Sequence, residues 1–351
     1  MTPNTKEAPG ANAGHAARFF DGKAVFITGG TGSFGKAFVR AVLDGGKPSR
    51  LIVFSRDELK QYEMDHEFAN HPNNACLRFF IGDVRDQARL ELALRDVDYV
   101  VHAAALKHVP IAEYNPFECI HTNVLGAENV VRAALRCGVK KVIALSTDKA
   151  ASPLNLYGAS KLASDKIFVA ANSLAGTDGT RFAVVRYGNV LGSRGSVVPL
   201  FMRMVRDGAD ALPITDPRMT RFSITLREGV EFVLSCFAEM SGGEIFVPKI
   251  PSLRIADLAS AIAPNLPHRV VGIRPGEKLH ELLITEDDAR STIELPDRYI
   301  ITPAFPFWTD GDGMTSRGRR MAENFSYASN TNPQWLEGEA LRAMLGTCTA
   351  A

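Results

Sequence analysis

Short apolar runs recur along the first half of the chain, and each is followed by a longer segment with helical spacing. Such runs are typical of strands buried on both faces of a parallel sheet. The predicted strands cover residues 24–28, 51–54, 77–81, 99–102, 142–146 and 182–186. Helices are predicted over 34–43, 87–94 and 116–135, the last with Pro116 at its first position and Asn115 as a candidate cap. This alternation predicts an α/β fold, a Rossmann-type doubly wound parallel sheet.

After residue 190 the pattern loosens, and glycines and prolines become frequent. The shorter elements predicted there are helices near 226–240, 254–263 and 277–284, a strand near 244–248, a loop over 309–323 and a terminal helix near 335–345. We interpret residues 191–351 as mainly a smaller C-terminal α/β substrate lobe with the terminal helix, and residues 21–190 as a dinucleotide-binding domain. Residues 1–20 are predicted to be a mobile N-terminal tail.

Composition excludes several classes of function. Lysine and arginine total 40 against 39 aspartates and glutamates, so nothing favours nucleic acid or an anionic membrane surface as a partner. The apolar runs are too short for a membrane span, and the polar N-terminus lacks the features of a signal peptide. The five cysteines are dispersed and show no CxxC pair. These observations predict a cytoplasmic protein without a metal site.

A glycine-rich turn directly follows the first predicted strand. Gly29, Gly32 and Gly35 have GxxGxxG spacing, between a strand and a helix. Glycines there permit a tight turn and close approach of a pyrophosphate, while the helix N-terminus supplies free N–H groups. The turn and the helix start also contribute Thr31, Ser33 and Phe34. We therefore predict a dinucleotide site.

The end of the second strand bears on which dinucleotide binds. Ser55 stands where NAD sites usually carry a carboxylate, and Arg56 follows it. A guanidinium suits a ribose 2′-phosphate, and Lys60 lies one turn further on, so NADP is favoured over NAD without being secured. Arg56 would also suit a solvated helix start. After the third strand, Asp83 could accept from the adenine amino group and Val84 cover the ring, but Asp83 is an equally good helix cap.

A tyrosine–lysine pair marks the reactive centre. Tyr157 and Lys161 are four residues apart, so both face one side of a predicted helix. A tyrosine base must lose its proton, and a nearby ammonium and an oxidised nicotinamide both favour the phenolate. The preceding strand ends at Thr147, which we expect near the nicotinamide.

Taken together, these motifs resemble the extended short-chain dehydrogenase/reductase superfamily over roughly residues 20–305. Within it the chain closely resembles the inverting UDP-N-acetylglucosamine 4,6-dehydratases of pseudaminic acid and related pathways. The matching segments are 55–64 (SRDELKQYEM), 103–109 (AAALKHV), 146–150 (STDKA), 155–161 (NLYGASK), 186–196 (RYGNVLGSRGS) and 274–278 (RPGEK).

The resemblance implies a chemical cycle. Tyr157 takes the proton of the 4-hydroxyl while C4 gives a hydride to NADP+, Lys149 then removes the C5 proton, and Asp148 protonates the leaving C6 hydroxyl. Hydride return to C6 and reprotonation of C5 from the opposite face complete a net lyase reaction. Retaining relatives typically carry Asp-Glu where this chain has Asp148-Lys149. For Lys149 to act as a base near neutrality, we expect burial and nearby cations to lower its pKa.

The resemblance also assigns binding residues. It places Lys107 and Asn189 near the sugar or phosphates, Val197 and Thr215 around the nucleotide, Arg274 on a phosphate and Glu277 on the uridine ribose. Ala103 and residues 190–194, including Val190 and Arg194, are expected along the cofactor, and Arg221 is a further phosphate candidate.

The resemblance further implies the substrate, UDP-N-acetylglucosamine, and a homo-oligomer, dimer or hexamer. The alternatives are a UDP-sugar 4-epimerase and a non-catalytic NADP-binding regulator.

Overall fold

The computed structural model describes residues 16–176, 179–303, 316 and 318–349. The predicted strands of the first half all form, with bounds that differ by at most a residue or two. They are β1 (Ala24–Thr28), β2 (Arg50–Ser55), β3 (Leu77–Ile81), β4 (Tyr99–His102), β5 (Lys141–Thr147) and β6 (Arg181–Tyr187). All pair in parallel, in the order β6-β5-β4-β1-β2-β3. This confirms the doubly wound sheet, although β3 lies at its edge and is only partly buried.

Helices connect these strands and cover both faces of the sheet. They are α1 (Ser33–Gly45), α2 (Glu58–Phe68), α3 (Gln87–Ala93), α4 (Val109–Tyr114), α5 (Pro116–Ile120), α6 (Gly126–Arg136) and α7 (Leu156–Ala175). The segment predicted as one helix over 116–135 is α5 and α6 joined by a π-helical turn, His121–Leu125. Pro116 begins it as expected, but the Asn115 side chain makes no capping hydrogen bond.

The second half of the chain has shorter elements. In chain order they are β7 (Asn189–Val190), α8 (Val197–Arg206), β8 (Leu212–Ile214), β9 (Thr220–Ile224), α9 (Leu226–Glu239), β10 (Ile245–Pro248), β11 (Ser252–Arg254), α10 (Ile255–Ile262), β12 (His268–Val270), β13 (Leu282–Ile284), α11 (Glu286–Ala289), β14 (Thr292–Glu294), β15 (Arg298–Ile301), β16 (Arg319–Arg320), β17 (Tyr327–Ala328) and α12 (Gly338–Thr349).

Some of these late strands extend the main sheet past β6. Strand β10 pairs in parallel with β6, and β15, β14 and β16 continue the sheet beyond it by antiparallel pairing. The remaining short strands form small separate sheets, and a second apolar core, built around Phe201, Leu253, Leu258 and Leu341, lies beside them. The domain boundary at residue 190 stays a prediction. Four strands that follow it, β10, β14, β15 and β16, return to the main sheet.

Two expectations from the sequence differ from the structure. Residues 277–284 do not form a helix: 277–281 are irregular, and Leu282–Ile284 is a strand that pairs with β17. Of the expected tail 1–20, residues 1–15 lie outside the described residues, but Phe20 is fully buried in the main core. The packed part of the chain therefore begins before residue 21. Most of the loop predicted over 309–323 also lies outside the described residues.

Candidate active site

A cavity of about 1300 Å³ opens where the parallel strands end, and the small sheets form its other wall. Ligands bind at the carboxyl ends of the strands in open α/β sheets. The cavity wall contains every site residue that the sequence predicts except Asp148. The wall residues among them are Gly29, Thr31, Gly32, Ser33, Phe34, Gly35, Ser55, Arg56, Lys60, Asp83, Val84, Ala103, Lys107, Thr147, Lys149, Tyr157, Lys161, Asn189, Val190, Arg194, Val197, Thr215, Arg221, Arg274 and Glu277.

The glycine-rich turn has the shape that a dinucleotide needs. Gly29 has φ +64°, and a Cβ there would stand 2.9 Å from the backbone of Ala104. A Cβ on Gly35 would lie 2.2 Å from the carbonyl oxygen of Gly30, so α1 can approach β1 only without a side chain at this position. The free N–H groups at the start of α1 therefore face the cavity across a bare backbone. These residues fit a pyrophosphate, and the structure supports the predicted dinucleotide site on this point.

The end of β2 carries a cation into the cavity wall. The Arg56 side chain is half exposed, and its Nη1 lies 3.5 Å from Oδ2 of Asp83. Lys60 forms an ion pair with Asp57, which caps α2 through the Lys60 N–H. The cap of α3 is Asp86, so the alternative interpretation of Asp83 as a helix cap is wrong. Lys60 is therefore closely paired with Asp57, whereas the contact of Arg56 with Asp83 is longer.

The Asp83 carboxylate forms an ion pair with a second arginine, Arg85, to which the sequence reasoning assigned no role. Arg85 Nη2 lies 2.7 Å from Oδ2 of Asp83. Burial favours the neutral acid, but the hydrogen bonds from Arg85 outweigh it and lower the pKa of Asp83. Asp83 is therefore an ionised acceptor at the cavity wall.

A single turn of 3-10 helix, Asp148–Ala150, follows β5 and holds the predicted acid–base pair. Asp148 is fully buried just beneath the cavity wall. Its Oδ1 accepts hydrogen bonds from the Thr147 hydroxyl at 2.9 Å and from Lys149 Nζ at 3.0 Å, while Oδ2 has no hydrogen-bond partner among the described residues. Within the described part of the chain, this buried oxygen thus has no donor that replaces the hydrogen bonds of water.

Lys149 lies between two carboxylates. Besides Asp148, its Nζ lies 3.2 Å from Oε1 of Glu281 and 3.4 Å from Oδ1 of Asn189. Burial opposes the ammonium, but the charges of Asp148 and Glu281 outweigh it and raise the pKa of Lys149 above its ordinary value. The expectation of a lowered pKa is therefore wrong for this arrangement, because the nearest charges are anionic.

Tyr157 and Lys161 lie on the first turns of α7, whose start is capped by the Asn155 side chain. Burial raises the pKa of Tyr157 to about 12, although the Lys149 charge acts in the opposite direction. Burial also lowers the pKa of Lys161, opposed by Asp165. Both groups line the same cavity as Lys149, as the sequence predicts, but the resting phenol is held neutral.

A buried ion pair lies behind these groups. Asp165 accepts from the Ser146 hydroxyl at 2.8 Å and from Arg186 at 3.2 Å, and both charged side chains are almost fully buried. Arg186 also donates to the Leu283 carbonyl oxygen at 3.1 Å. The pair therefore connects the end of β5 with α7, β6 and β13, and fixes the elements that carry Tyr157 and Lys149 relative to each other.

The predicted substrate residues line the cavity from several loops, from β7 and from the start of α8. Lys107 Nζ donates to the Arg194 carbonyl oxygen at 3.0 Å, and the Arg194 guanidinium donates to the Thr31 carbonyl oxygen at 2.8 Å. This links the loop after β7 to the glycine-rich turn. Arg274 is largely exposed and lies 3.9 Å from Glu277, so the two remain within reach of each other at the cavity mouth.

Sequence reasoning also missed two further residues of the cavity wall, Lys278 and Glu281. Lys278 ends the RPGEK segment, Glu281 lies three residues beyond it, and both fall within the stretch wrongly predicted as a helix. A buried glutamate is rare without a partner, but burial is a tertiary property that the local pattern does not show. The described part of the chain contains no cluster of histidine, cysteine, aspartate or glutamate able to hold a metal ion. It also contains no helix that is both long and apolar enough to span a bilayer.

Comparisons with known proteins agree with this geometry. The family described as polysaccharide biosynthesis protein matches residues 25–303. The UDP-N-acetylglucosamine 4,6-dehydratase (inverting) of Campylobacter jejuni is 57% identical over 328 residues, which are 92% of this chain and 97% of that protein. A UDP-glucose 4-epimerase of Rickettsia conorii is 44% identical over 289 residues, 80% of this chain and 83% of the epimerase.

Solved structures share the fold. The X-ray structure of Pen from Bacillus thuringiensis superposes with a TM-score of 0.86 at 36% identity, covering 95% of this chain and 100% of that one. The dTDP-glucose 4,6-dehydratase DesIV of Streptomyces venezuelae, solved with NAD bound, gives a TM-score of 0.65 at 27% identity, covering 73% and 86%. The second of these neighbours carries a nicotinamide dinucleotide.

Proposed function

The chain belongs to the polysaccharide biosynthesis protein family and groups with its inverting UDP-N-acetylglucosamine 4,6-dehydratases, and from this premise we propose that it removes water from UDP-N-acetylglucosamine. The product is the 4-keto-6-deoxy sugar with inverted C5, which makes the enzyme a hydro-lyase. The observation that carries the proposal is the contact between Asp148 and Lys149, at the end of β5 beside Tyr157. A simple exchange of configuration at C4 needs no such acid–base pair.

The residues of the chain divide the chemistry among them. A nicotinamide dinucleotide held at the glycine-rich turn, residues 29–35, would supply the hydride acceptor for C4 of the sugar and the hydride donor for C6. Tyr157, oriented by α7, accepts the proton of the 4-hydroxyl, and the positive charges of Lys149 and Lys161 favour its phenolate. The C4 ketone makes the C5 hydrogen acidic. Lys149 takes that proton, and Asp148 gives its own proton to the departing C6 hydroxyl, so that water leaves. When the hydride reaches C6, a proton that originates from solvent is added to C5 from the opposite face, which inverts C5.

The buried position of Asp148 suits the role of acid. Asp148 is fully buried, and its Oδ2 has no hydrogen-bond partner among the described residues, so this oxygen is available to act on the departing C6 hydroxyl. The cavity wall also holds cations for a diphosphate, namely Lys107, Arg221 and Arg274. The chain as a whole is nearly neutral, so this local positive charge is what selects a phosphorylated ligand.

Incubation with UDP-N-acetylglucosamine in D2O tests the function. We expect loss of one water, deuterium at C5 and an L-configured 4-keto product, as observed by NMR and mass spectrometry. Water loss with retained C5 configuration would contradict inversion. Conversion to UDP-N-acetylgalactosamine without water loss would favour the second candidate, a 4-epimerase, which the similarity to the Rickettsia protein keeps in consideration.

NADP is the proposed cofactor because Arg56 extends into the cavity where a ribose 2′-phosphate would lie, and β2 ends in Ser55 instead of a carboxylate. We expect Arg56→Ala to weaken NADP binding by about 10-fold or more, since a charge-assisted pair is lost, and NAD binding by much less. Titration calorimetry with both dinucleotides measures this.

Arg78→Ala is the matched control, because Arg78 is exposed on β3 outside the cavity and its loss removes the same charge. Equal weakening of NAD and NADP by Arg56→Ala would contradict the assignment. The homo-oligomeric state, a dimer or a hexamer, stays a prediction. Sedimentation velocity would test it by measuring the mass of the protein in solution.

A further inference from the structure

Glu281 is a buried carboxylate in the centre of the site, and the proposed cycle does not yet use it. Its side chain is 2% exposed, and its Oε1 lies 3.2 Å from Lys149 Nζ. The backbone is fixed on both sides, because the Glu281 N–H donates to the Ser329 hydroxyl and its carbonyl oxygen accepts from the Ser329 N–H. These backbone hydrogen bonds hold the carboxylate in contact with Lys149.

The dehydration places two demands on Lys149 and Asp148. Lys149 must be a neutral amine to take the C5 proton, and Asp148 must still hold the proton that it gives to the hydroxyl. The carboxylate of Glu281, 3.2 Å away, stabilises the ammonium form of Lys149 even when Asp148 holds its proton. The extra proton of Lys149 therefore needs an acceptor that leaves Asp148 free for its own task.

The hydrogen-bond pattern distinguishes the two carboxylates. Lys149 reaches only Oδ1 of Asp148, which already accepts from the Thr147 hydroxyl. Oε1 of Glu281 has Lys149 at 3.2 Å and the more distant Arg221 Nε at 3.7 Å. Oε2 of Glu281 is buried and makes no hydrogen bond among the described residues. A neutral carboxylic acid at Glu281 therefore gives up little hydrogen bonding.

We propose that Glu281 accepts the ammonium proton of Lys149, so that Lys149 becomes the neutral base while Asp148 keeps its proton for the leaving hydroxyl. This role rests on the proposed dehydratase function. In the first transfer a Lys149 N–H bond breaks and a Glu281 O–H bond forms, which turns an ion pair into two neutral groups. In the elimination the C5–H bond breaks, Lys149 regains an N–H, and the Asp148 proton leaves in water.

The same contacts restore the site. After elimination Lys149 is an ammonium, Glu281 is neutral and Asp148 is ionised. Lys149 then passes a proton to Asp148 across 3.0 Å and receives one from Glu281 across 3.2 Å. All three groups return to their starting states, and no proton has to be exchanged with solvent by this triad.

The charges around Glu281 are compatible with this transfer. The charged groups that face it are Asp148 and Lys149 from the 3-10 turn, Arg221 from β9 and Lys278 from its own loop. Burial raises the pKa of Glu281, whereas the three cations oppose it. An ionised Asp148 would raise this pKa further, but the proposed cycle starts with Asp148 protonated. Glu281 thus accepts a proton more readily than an exposed glutamate, which makes it a positioning residue and proton acceptor for Lys149.

The pH dependence of kcat tests the proposal. In the wild type the proton moves within the triad, so the turnover rate is expected to be flat through neutral pH. Glu281→Gln removes the acceptor, and Lys149 must then lose its proton to solvent. We expect the variant to be slow at neutral pH and to gain about tenfold per pH unit as the pH rises towards the pKa of Lys149. A purely structural role would lower the rate equally at every pH.

Three controls complete the experiment. Glu281→Asp keeps a carboxylate and is expected to keep the flat profile at a reduced rate. Glu286→Gln removes an exposed carboxylate just after β13 and should match the wild type. Melting temperature and dinucleotide binding show whether each variant is folded.

A flat profile for folded Glu281→Gln overturns the proposal and leaves Asp148 as the carboxylate that takes the proton of Lys149. If that variant does not fold, the pH profile of the wild type is the test. A wild-type kcat that rises tenfold per pH unit through neutral pH would also overturn the proposal. Absence of dehydration by the wild type instead overturns the proposed function.

Discussion

Asp148→Asn is expected to lower the rate of dehydration by about 10²–10⁴-fold, the usual contribution of a positioned acid, with folding and dinucleotide binding intact. An amide has the shape of the carboxylic acid and can still accept the hydrogen bonds of Thr147 and Lys149 through its oxygen. Its NH2 group takes the place of an oxygen that has no hydrogen-bond partner in the described part of the chain, so no existing hydrogen bond is lost. The amide cannot give a proton to the leaving hydroxyl.

The step at which this variant stops is measurable. Tyr157 and Lys149 are unchanged, so oxidation at C4 and removal of the C5 proton still occur reversibly. Substrate recovered from D2O should therefore contain deuterium at C5 but retain its 6-hydroxyl. Asp65→Asn, on the exposed face of α2, is the matched control and should turn over normally. Water loss at the wild-type rate in Asp148→Asn would remove Asp148 from the mechanism.

Tyr157→Phe is expected to stop the cycle one step earlier, again with a loss of about 10²–10⁴-fold. Without the phenol, nothing at this position accepts the proton of the 4-hydroxyl, and no ketone forms to acidify C5. The recovered substrate should then contain no deuterium at C5, in contrast to Asp148→Asn. NMR of substrate incubated in D2O distinguishes the two variants directly.

The exposed Tyr114 gives the control for this change, since Tyr114→Phe removes the same hydroxyl from a side chain that is 89% exposed. Deuterium at C5 in Tyr157→Phe would show that another group accepts the proton of the 4-hydroxyl. The difference in deuterium labelling between Asp148→Asn and Tyr157→Phe is the stronger test of the order of steps. Damage to the fold would abolish labelling and water loss together in either variant.

The secondary structure could be predicted where the local sequence pattern and the tertiary environment favour the same conformation. The middle of strand β5, residues 142–145, is apolar because both of its faces are buried, and the glycine-rich turn is visible because its glycines are required by close backbone contacts. Strand β13 was mistaken for a helix because its apolar residues also fit helical spacing. Its pairing with β17, remote in sequence, decides its conformation.

The candidate site shows the same division. The motif around Tyr157 and the pair Asp148-Lys149 could be read from adjacent letters of the sequence. The direction of the pKa of Lys149 could not, because it depends on Glu281, a residue far along the chain that reaches it only through the fold. Local sequence thus indicated which groups react, while their protonation is set by neighbours that only the structure brings together.

The late return of the chain to the main sheet has a consequence for how the protein is made. Strand β6 ends at Tyr187, but its outer neighbour β10 begins only at Ile245. During synthesis on the ribosome the nascent sheet therefore has an open, apolar edge until the intervening residues have emerged. Open edges of this kind recruit other chains, and domains that are made slowly remain exposed to such encounters. We expect this interval to be the stage of biosynthesis at which a chaperone is most needed.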